Sequence, residues 1–443
     1  MKYRLMSKEE LRVALSEVSA EYQNAVAAGM KLDISRGKPC AEQLDLSNEL
    51  FDGLNSETVF GMPDYRNYGM IDGIPELKKI ICDCIGVTNE QLIVAGNASL
   101  NLMYDTVQRL MQFGLHGNTP WNKCGHVKFL CPVPGYDRHF AITELFGVEM
   151  ISVPMDENGP IMDIVEEYVR TDKDVKGMWC VPKYSNPAGI VYSDAVVKKL
   201  ARMKTAAPDF VIMWDNAYFV HDLGKDYPLT DILAECRAAG NADRVFEFGS
   251  TSKITFPGAG VAFMASSEAN IAWTKKLMSV QTIGPDKLSQ LAHARFLKSP
   301  ENIKAHMAKH AAIMAPKFRF LLDLFEQSFG KNCDIFNWIE PKGGYFISVN
   351  VLNGCAKRVV ELCKNAGLTL TGAGATFPLK HDDNDSNLRI APSYATLEDV
   401  KSAGALLVVC VKLAALEKLI AEAEYNRYTG IAFLEKYEKE EEK

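Results

Sequence analysis

The chain has 443 residues, 47% hydrophobic and 24% charged, and a formal net charge of -7. That length exceeds one small core and predicts two domains, and the acidic balance speaks against a nucleic-acid or anionic-membrane partner. Eleven cysteines, an odd number without a C-x-x-C pair, read as reduced thiols in a cytoplasmic protein rather than as disulfides or a metal site.

The first stretch, "SKEELRVALSEVSAEYQNAVAAG" (7–29), predicts an amphipathic helix rather than a secretory signal. Ser7 and Glu10 form a capping-box pattern, and Leu11, Leu15, Val18, Tyr22 and Val26 recur at helical spacing. Between about residues 90 and 265, short apolar, β-branched runs alternate with helical segments: "QLIVAG", "VKFLCPV", "EMISVPM", "VKGMWCVP", "FVIMWDN", "VFEFGS" and "GVAFMAS". Continuous apolar strands separated by helices imply a largely parallel sheet covered on both faces.

From about residue 300 the pattern changes to a long helical stretch (roughly 301–328), the strand-like "GGYFISVN" (343–350), a helix near 356–366, a turn-rich segment and the strand "LRIAP". This reads as a smaller α+β domain on which the N-terminal helix packs. The apolar stretch 404–421 is broken by Lys412, Glu417 and Lys418, so it does not span a bilayer. The terminal "EKYEKEEEK" reads as a solvated tail or frayed helix.

Polar residues fall just after the strands: Asn97, Tyr136, Asn186, Asp215 and Lys253 follow five different runs. In open parallel α/β sheets ligands bind at the carboxyl ends of the strands, so these five are expected at one edge. Taken singly, each has an ordinary explanation. A lysine after serines is usually solvated, an aspartate after a strand is usually a cap or salt bridge, and Asn-Pro-x-Gly is a turn signal. Their convergence is what favours a site. A desolvated lysine amine suits covalent chemistry with a carbonyl, and Ser250 and Ser252 beside it suit a phosphate. "GNASLNLM" (96–103) passes from strand to helix through small residues, which leaves backbone N–H groups for an anion. Arg389 offers a guanidinium fork for a carboxylate. His306 and His310 have i, i+4 spacing without an acidic third ligand, so a solvated helix face is expected, not a metal site.

In order, "SRGKP" (35–39), "YRNYGMIDGIPELK" (65–78), "GNASLNLM", "PGYD" (134–137), "SNPAG" (185–189), "DNAY" (215–218), "STSK" (250–253), "GGYF" (343–346) and "LRIAPS" (388–393) resemble the fold-type-I aminotransferases dependent on pyridoxal 5'-phosphate. Within that family the chain looks most like the subgroup Ic aspartate aminotransferases. The resemblance implies a mostly parallel central sheet with helices on both faces plus a smaller α+β domain. The expected boundaries are 1–50 for an N-terminal helix and segment packed on the small domain, 51–300 for the large cofactor-binding domain and 301–443 for the small domain.

By the same resemblance Lys253 holds the cofactor covalently and acts as the base. Asp215 pairs with the pyridine nitrogen, Asn186 and Tyr218 with the ring hydroxyl, and Tyr136 stacks on the ring. Asn97, Ala98, Ser99, Ser250 and Ser252 hold the phosphate. Arg389 clamps the substrate α-carboxylate with the Gly37 backbone nearby, and Tyr68 reaches the phosphate of the partner subunit in a homodimer. The implied reaction moves the amino group of L-aspartate to 2-oxoglutarate. Another transaminase of this class or a lyase on the same scaffold would keep the same residues. A regulator would be expected to add a DNA-binding module before residue 35 and a basic surface. There are two departures. Gly260 stands where relatives in other subgroups carry a phosphate-facing arginine, and the partner of a distal carboxylate is open among Lys287, Arg295 and Arg36.

Overall fold

The computed structural model describes the backbone of residues 2–56 and 63–441, with side chains described to residue 424. The chain opens with the helix Lys8–Ala27, where the Ser7 hydroxyl accepts from the Glu10 amide at 3.2 Å and the Glu10 carboxylate accepts from the Ser7 amide at 2.7 Å. Both orphan donors of the expected capping box are satisfied. A short strand β1 (Leu32–Asp33) follows.

The central sheet then forms from β2 (Leu92–Val94), β3 (Lys128–Val133), β4 (Glu149–Asp156), β5 (Gly159–Pro160), β6 (Val175–Cys180), β7 (Val211–Asp215), β8 (Val245–Ser250) and β9 (Ala262–Ala265). Its order is β2-β9-β8-β7-β6-β3-β4-β5. Strands β8, β7, β6, β3 and β4 run parallel. Strand β9 is antiparallel to both β8 and β2, so β2 again points the same way as the parallel set. The seven expected apolar runs are all strands of this sheet, and β5 is an added two-residue edge.

Burial explains why those runs are apolar without alternation. Ile212 and Trp214 of β7 enter one core with Leu130, Met178 and Val245, while Val211 and Met213 enter a second core with Phe129, Trp179 and Phe246. Strands β6, β7 and β8 therefore lose water on both faces, at about 1.5–3 kcal/mol for each large apolar side chain, whereas β4 near the sheet edge buries only Val153 fully.

The rest of the chain supplies β10 (Phe336–Trp338), β11 (Ile347–Val351), β12 (Leu368–Thr369) and β13 (Asn387–Ile390). Strands β10, β11 and β13 make an antiparallel sheet, and β12 pairs in parallel with β1. Helices Pro300–Phe329, Ala356–Asn365 and Leu397–Glu441 pack around them. Leu11 and Tyr22 of the N-terminal helix lie in the same core as Phe325, Leu362 and Leu407, and the Tyr22 hydroxyl donates to the Leu362 carbonyl at 3.1 Å. The Leu397–Glu441 helix carries its backbone into the acidic end, whose side chains lie outside the described residues. No helix among the described residues is long and apolar enough to cross a membrane.

One expectation is corrected. His306 and His310 do not sit on a solvated face; they are 8% and 2% exposed. Buried Ile303, Met307, Met314 and Phe318 place them on the inward stripe of their helix, against the loop after β8. His306 Nε2 lies 2.8 Å from the Ile254 carbonyl. Burial first, and then the neighbouring His306, pushes His310 down to about 4, so it is neutral at physiological pH.

Candidate active site

The carboxyl ends of β2, β3, β6, β7 and β8 meet at one edge of the sheet. At the end of β8 the Ser250 hydroxyl donates to Ser252 Oγ at 3.1 Å, and Ser252 Oγ donates to the Asn97 carbonyl at 3.4 Å. This joins the loop after β8 to the loop after β2. Ala98 is the extended N-cap of the helix Ser99–Phe113 and provides no side-chain cap. The first-turn amides there, with the positive end of the helix dipole and two serine hydroxyls, form an anion cradle. Gly260 borders it: a Cβ there would lie 3.0 Å from the Phe256 carbonyl and 3.3 Å from the Asn97 carbonyl.

Lys253 Nζ stands 4.6 Å from the centre of the Tyr218 ring. Tyr218 is buried, and burial first, with the Asp215 charge second, lifts its phenol far above the usual range. The Tyr136 phenol is pushed up to about 12 by burial, although the Lys253 charge draws it down. Both hydroxyls are therefore protonated donors at neutral pH.

Asp215 ends β7 at 3% exposure. Its Oδ2 accepts from His139 Nε2 at 2.9 Å, while Oδ1 is buried with no hydrogen-bond partner among the described residues. The His139 ring is fixed by stacking on Trp179, 4.4 Å between centres and 9° between planes, and by the edge of Tyr136 at 5.0 Å. A buried carboxylate with one free oxygen carries a desolvation cost of several kcal/mol, which a cationic donor would offset.

Arg389 reaches the same space from β13. Its guanidinium donates to Asp137 at 3.0 Å and to Asn186 Oδ1 at 3.4 Å, and its central carbon lies 5.0 Å from the centre of the Phe346 ring. The Arg389 Nε is buried without a partner among the described residues. With its oxygen on Arg389, the Asn186 amide keeps its NH2 free to donate elsewhere. Gly37 closes this corner: a Cβ there would lie 2.1 Å from Phe346 Cζ, so only the bare backbone fits.

The structure thus gathers Asn97, Ala98, Ser99, Tyr136, Asn186, Asp215, Tyr218, Ser250, Ser252, Lys253, Arg389 and Gly37 from segments far apart in sequence. Tyr68 stands apart from them, 82% exposed on the surface. Lys287 donates to the Gly69 carbonyl at 3.2 Å, Arg295 to the Gly53 carbonyl, and Arg36 is exposed. Sequence reasoning missed His139, Trp179 and Phe346. The signal for His139 is its place three residues after Tyr136, on the inner face of the helix Asp137–Leu145, whereas its partner Asp215 is 76 positions away. No group of three or more histidine, cysteine or acidic side chains able to hold a metal is found among the described residues.

A doubly covered, mainly parallel sheet with a lysine, an aspartate and an anion cradle at its carboxyl edge is the arrangement expected of the fold-type-I class. Comparison with known proteins makes this specific. The family model described as aspartate amino-transferase matches residues 6–423. An aspartate aminotransferase of Corynebacterium glutamicum is 45% identical over 413 residues, covering 92% of this chain and 95% of that one. The crystal structure of an aspartate transaminase from Corynebacterium glutamicum superposes with a TM-score of 0.91 at 44% identity, over 94% of this chain and 99% of that one. An α-aminoadipate aminotransferase structure from Thermus thermophilus shares the fold at 18% identity, with a TM-score of 0.69 over 91% of this chain and 95% of that one. The chain belongs to the aspartate aminotransferase family and is an aminotransferase.

Proposed function

We propose that this aminotransferase works with pyridoxal 5'-phosphate and moves the amino group of L-aspartate to 2-oxoglutarate, giving oxaloacetate and L-glutamate. The observation that carries the cofactor is Asp215: a buried carboxylate, fixed by His139, with one oxygen unpartnered among the described residues. A protonated pyridine nitrogen is the donor that such an oxygen accepts. The anion cradle suits the phosphate, so the residues present fit the group. The relative named aspartate aminotransferase supports the donor.

When bound, the pyridine aldehyde supplies an electron sink for the bond electrons left at the substrate α-carbon. Asp215 Oδ1 would hold the proton on the ring nitrogen that makes this sink effective. The Asn186 NH2 and the Tyr218 hydroxyl would donate to the ring's phenolic oxygen, and Tyr136 would flank the ring. Asn97, Ala98, Ser99, Ser250 and Ser252 would hold the phosphate. Lys253 Nζ would hold the group covalently; once the substrate amine has displaced it, the freed Nζ would take the proton from the substrate α-carbon and return it on the far side of the substrate nitrogen. Arg389 forks onto the α-carboxylate with the Gly37 backbone beside it.

The enzyme is a cytoplasmic homodimer in this reading, in keeping with its eleven free cysteines. Exposed Tyr68 lies on a loop whose Gly69 carbonyl accepts from Lys287 and borders Gly284, just past exposed Val280 at the end of the helix Glu268–Gln281 and exposed Ile283, and this apolar surface suits a second copy whose phosphate site Tyr68 would complete. Residues 51–300 form the large domain, and 1–50 with 301–443 the smaller unit.

The test is the visible absorption of the pyridoxal-phosphate-loaded protein before and after L-aspartate, with oxaloacetate assayed in the same cuvette. Loss of the band with matching oxaloacetate is expected. A persisting band without oxaloacetate refutes the aspartate assignment. Lys253→Ala is expected to abolish both turnover and the covalent link, and normal turnover in that variant refutes the role of Lys253.

A further inference from the structure

Behind Lys253 runs a set of buried hydrogen bonds that the chemistry above does not use. The Lys253 carbonyl accepts from His221 Nε2 at 3.2 Å and from the Tyr345 hydroxyl at 3.4 Å. Tyr345 is 2% exposed, and burial lifts its phenol far above the usual range, so it remains a donor. Its oxygen accepts from Gln43 Nε2 at 3.0 Å. Gln43 is fully buried, and the Cys40 amide, donating to Gln43 Oε1 at 3.1 Å, settles which way its side chain faces. The second Nε2 hydrogen is directed at His310 Nδ1, 3.2 Å away. A buried amide engaged on both sides has one orientation, and it transmits that orientation to whatever it holds.

This run leads to the substrate side. Gln43 lies on the segment that carries Gly37, and the Lys38 carbonyl of that segment accepts from Ser393 Oγ at 3.0 Å, four residues after Arg389. Tyr345 directly precedes Phe346, which packs on Gly37 and under Arg389. We infer that Gln43 and Tyr345 are positioning residues: they tie the main chain of Lys253 to the carboxylate-binding segment and so fix the distance from the lysine amine to the substrate α-carbon. The inference rests on the proposed role of Lys253. A proton passes between two atoms efficiently only within hydrogen-bond reach, and a long side chain is no better placed than the peptide that carries it.

Tyr345→Phe removes one oxygen, keeps the ring and leaves His221 on the Lys253 carbonyl; Gln43→Met keeps the volume. Each loaded variant is mixed with L-aspartate and, in parallel, L-glutamate, with hydrogen or deuterium at the α-carbon, and the loss of the visible band is timed. The maximal rate is expected to fall about tenfold and the half-saturating amino-acid concentration to stay within roughly twofold, with a larger deuterium effect because proton transfer has become slower. The double variant is expected to lose less than the product of the two single losses, since Gln43 acts through Tyr345. Rates and deuterium effects equal to wild type in both variants overturn the inference, as does a lowered melting temperature with an unchanged deuterium effect. Wild-type protein without a borohydride-fixable cofactor on Lys253 overturns the proposed role of Lys253 and this inference together.

Discussion

Gly37→Ala tests the carboxylate corner at the cost of one methyl group. The new Cβ would start 2.1 Å from Phe346 Cζ and 2.4 Å from Cε1, where ordinary contact begins near 3.4 Å. Either the ring or the 35–39 segment must therefore retreat by roughly 1.3 Å, a large step in a close-packed interior. Phe346 is 5% exposed and supports Arg389 from 5.0 Å, so the guanidinium loses its footing or the Gly37 backbone leaves the pocket. On the proposed role of Arg389, either displacement spoils about one charge-assisted hydrogen bond to the substrate carboxylate, worth about 2 kcal/mol, or roughly thirtyfold. The overpacking itself costs about 1–3 kcal/mol of stability. The assay is half-reaction kinetics with several amino acids, because the α-carboxylate is common to all of them. The half-saturating concentration should rise roughly thirtyfold for every donor with the visible band intact, and Phe346→Leu in the same chain should recover part of the loss. A variant with wild-type kcat/KM for all donors would refute the reasoning.

Asp215→Asn removes the charge that His139 binds and that the proposed function pairs with a ring nitrogen, a loss of about 3–4 kcal/mol, so on that proposal kcat is expected to fall by roughly two to three decades. A fall of less than about fivefold in steady-state turnover would show that the buried carboxylate is not the electronic partner. The buried histidines predict an acid-sensitive fold. His310 is held down to about 4 from an ordinary 6.5, chiefly by burial, and His306, His293 and His221 are lowered for the same reason. Below about pH 6.5 the unfolded chain takes up protons that the native state refuses, so stability falls as pH drops, for His310 by up to about 1.4 kcal/mol per pH unit between 6.5 and 4, with the other three acting in the same direction. Melting temperatures at pH 7.5 and 5 should show that loss, and His310→Gln should flatten it; equal slopes for the two proteins would remove His310 from the account.

The apolar runs, the helix-start signals and the ordered motifs were legible in the sequence because they are local. A strand buried on both faces must be continuously apolar, as "FVIMW" (210–214) is, and a capping box places its two residues three apart whatever surrounds them. The residues at the strand ends were legible for a topological reason: parallel strands present all their carboxyl ends at one edge. The failures have an equally physical cause. His306 and His310 carry a spacing that fits a wet or a dry helix face, and only the packing of the Pro300–Phe329 helix against the loop after β8 decides which.

What the sequence determined by itself is the kind of elements, their order and the amine, carboxylate and guanidinium available at their ends. Only the tertiary structure decided the pairings: His139 with Asp215, Phe346 beneath Arg389 and against Gly37, and Gln43 with Tyr345 on the Lys253 carbonyl. Local propensity acts over a few residues, whereas these contacts join positions tens to hundreds apart. Burial, which gives an unpartnered oxygen or a neutral histidine its chemistry, exists only once distant segments have excluded water together.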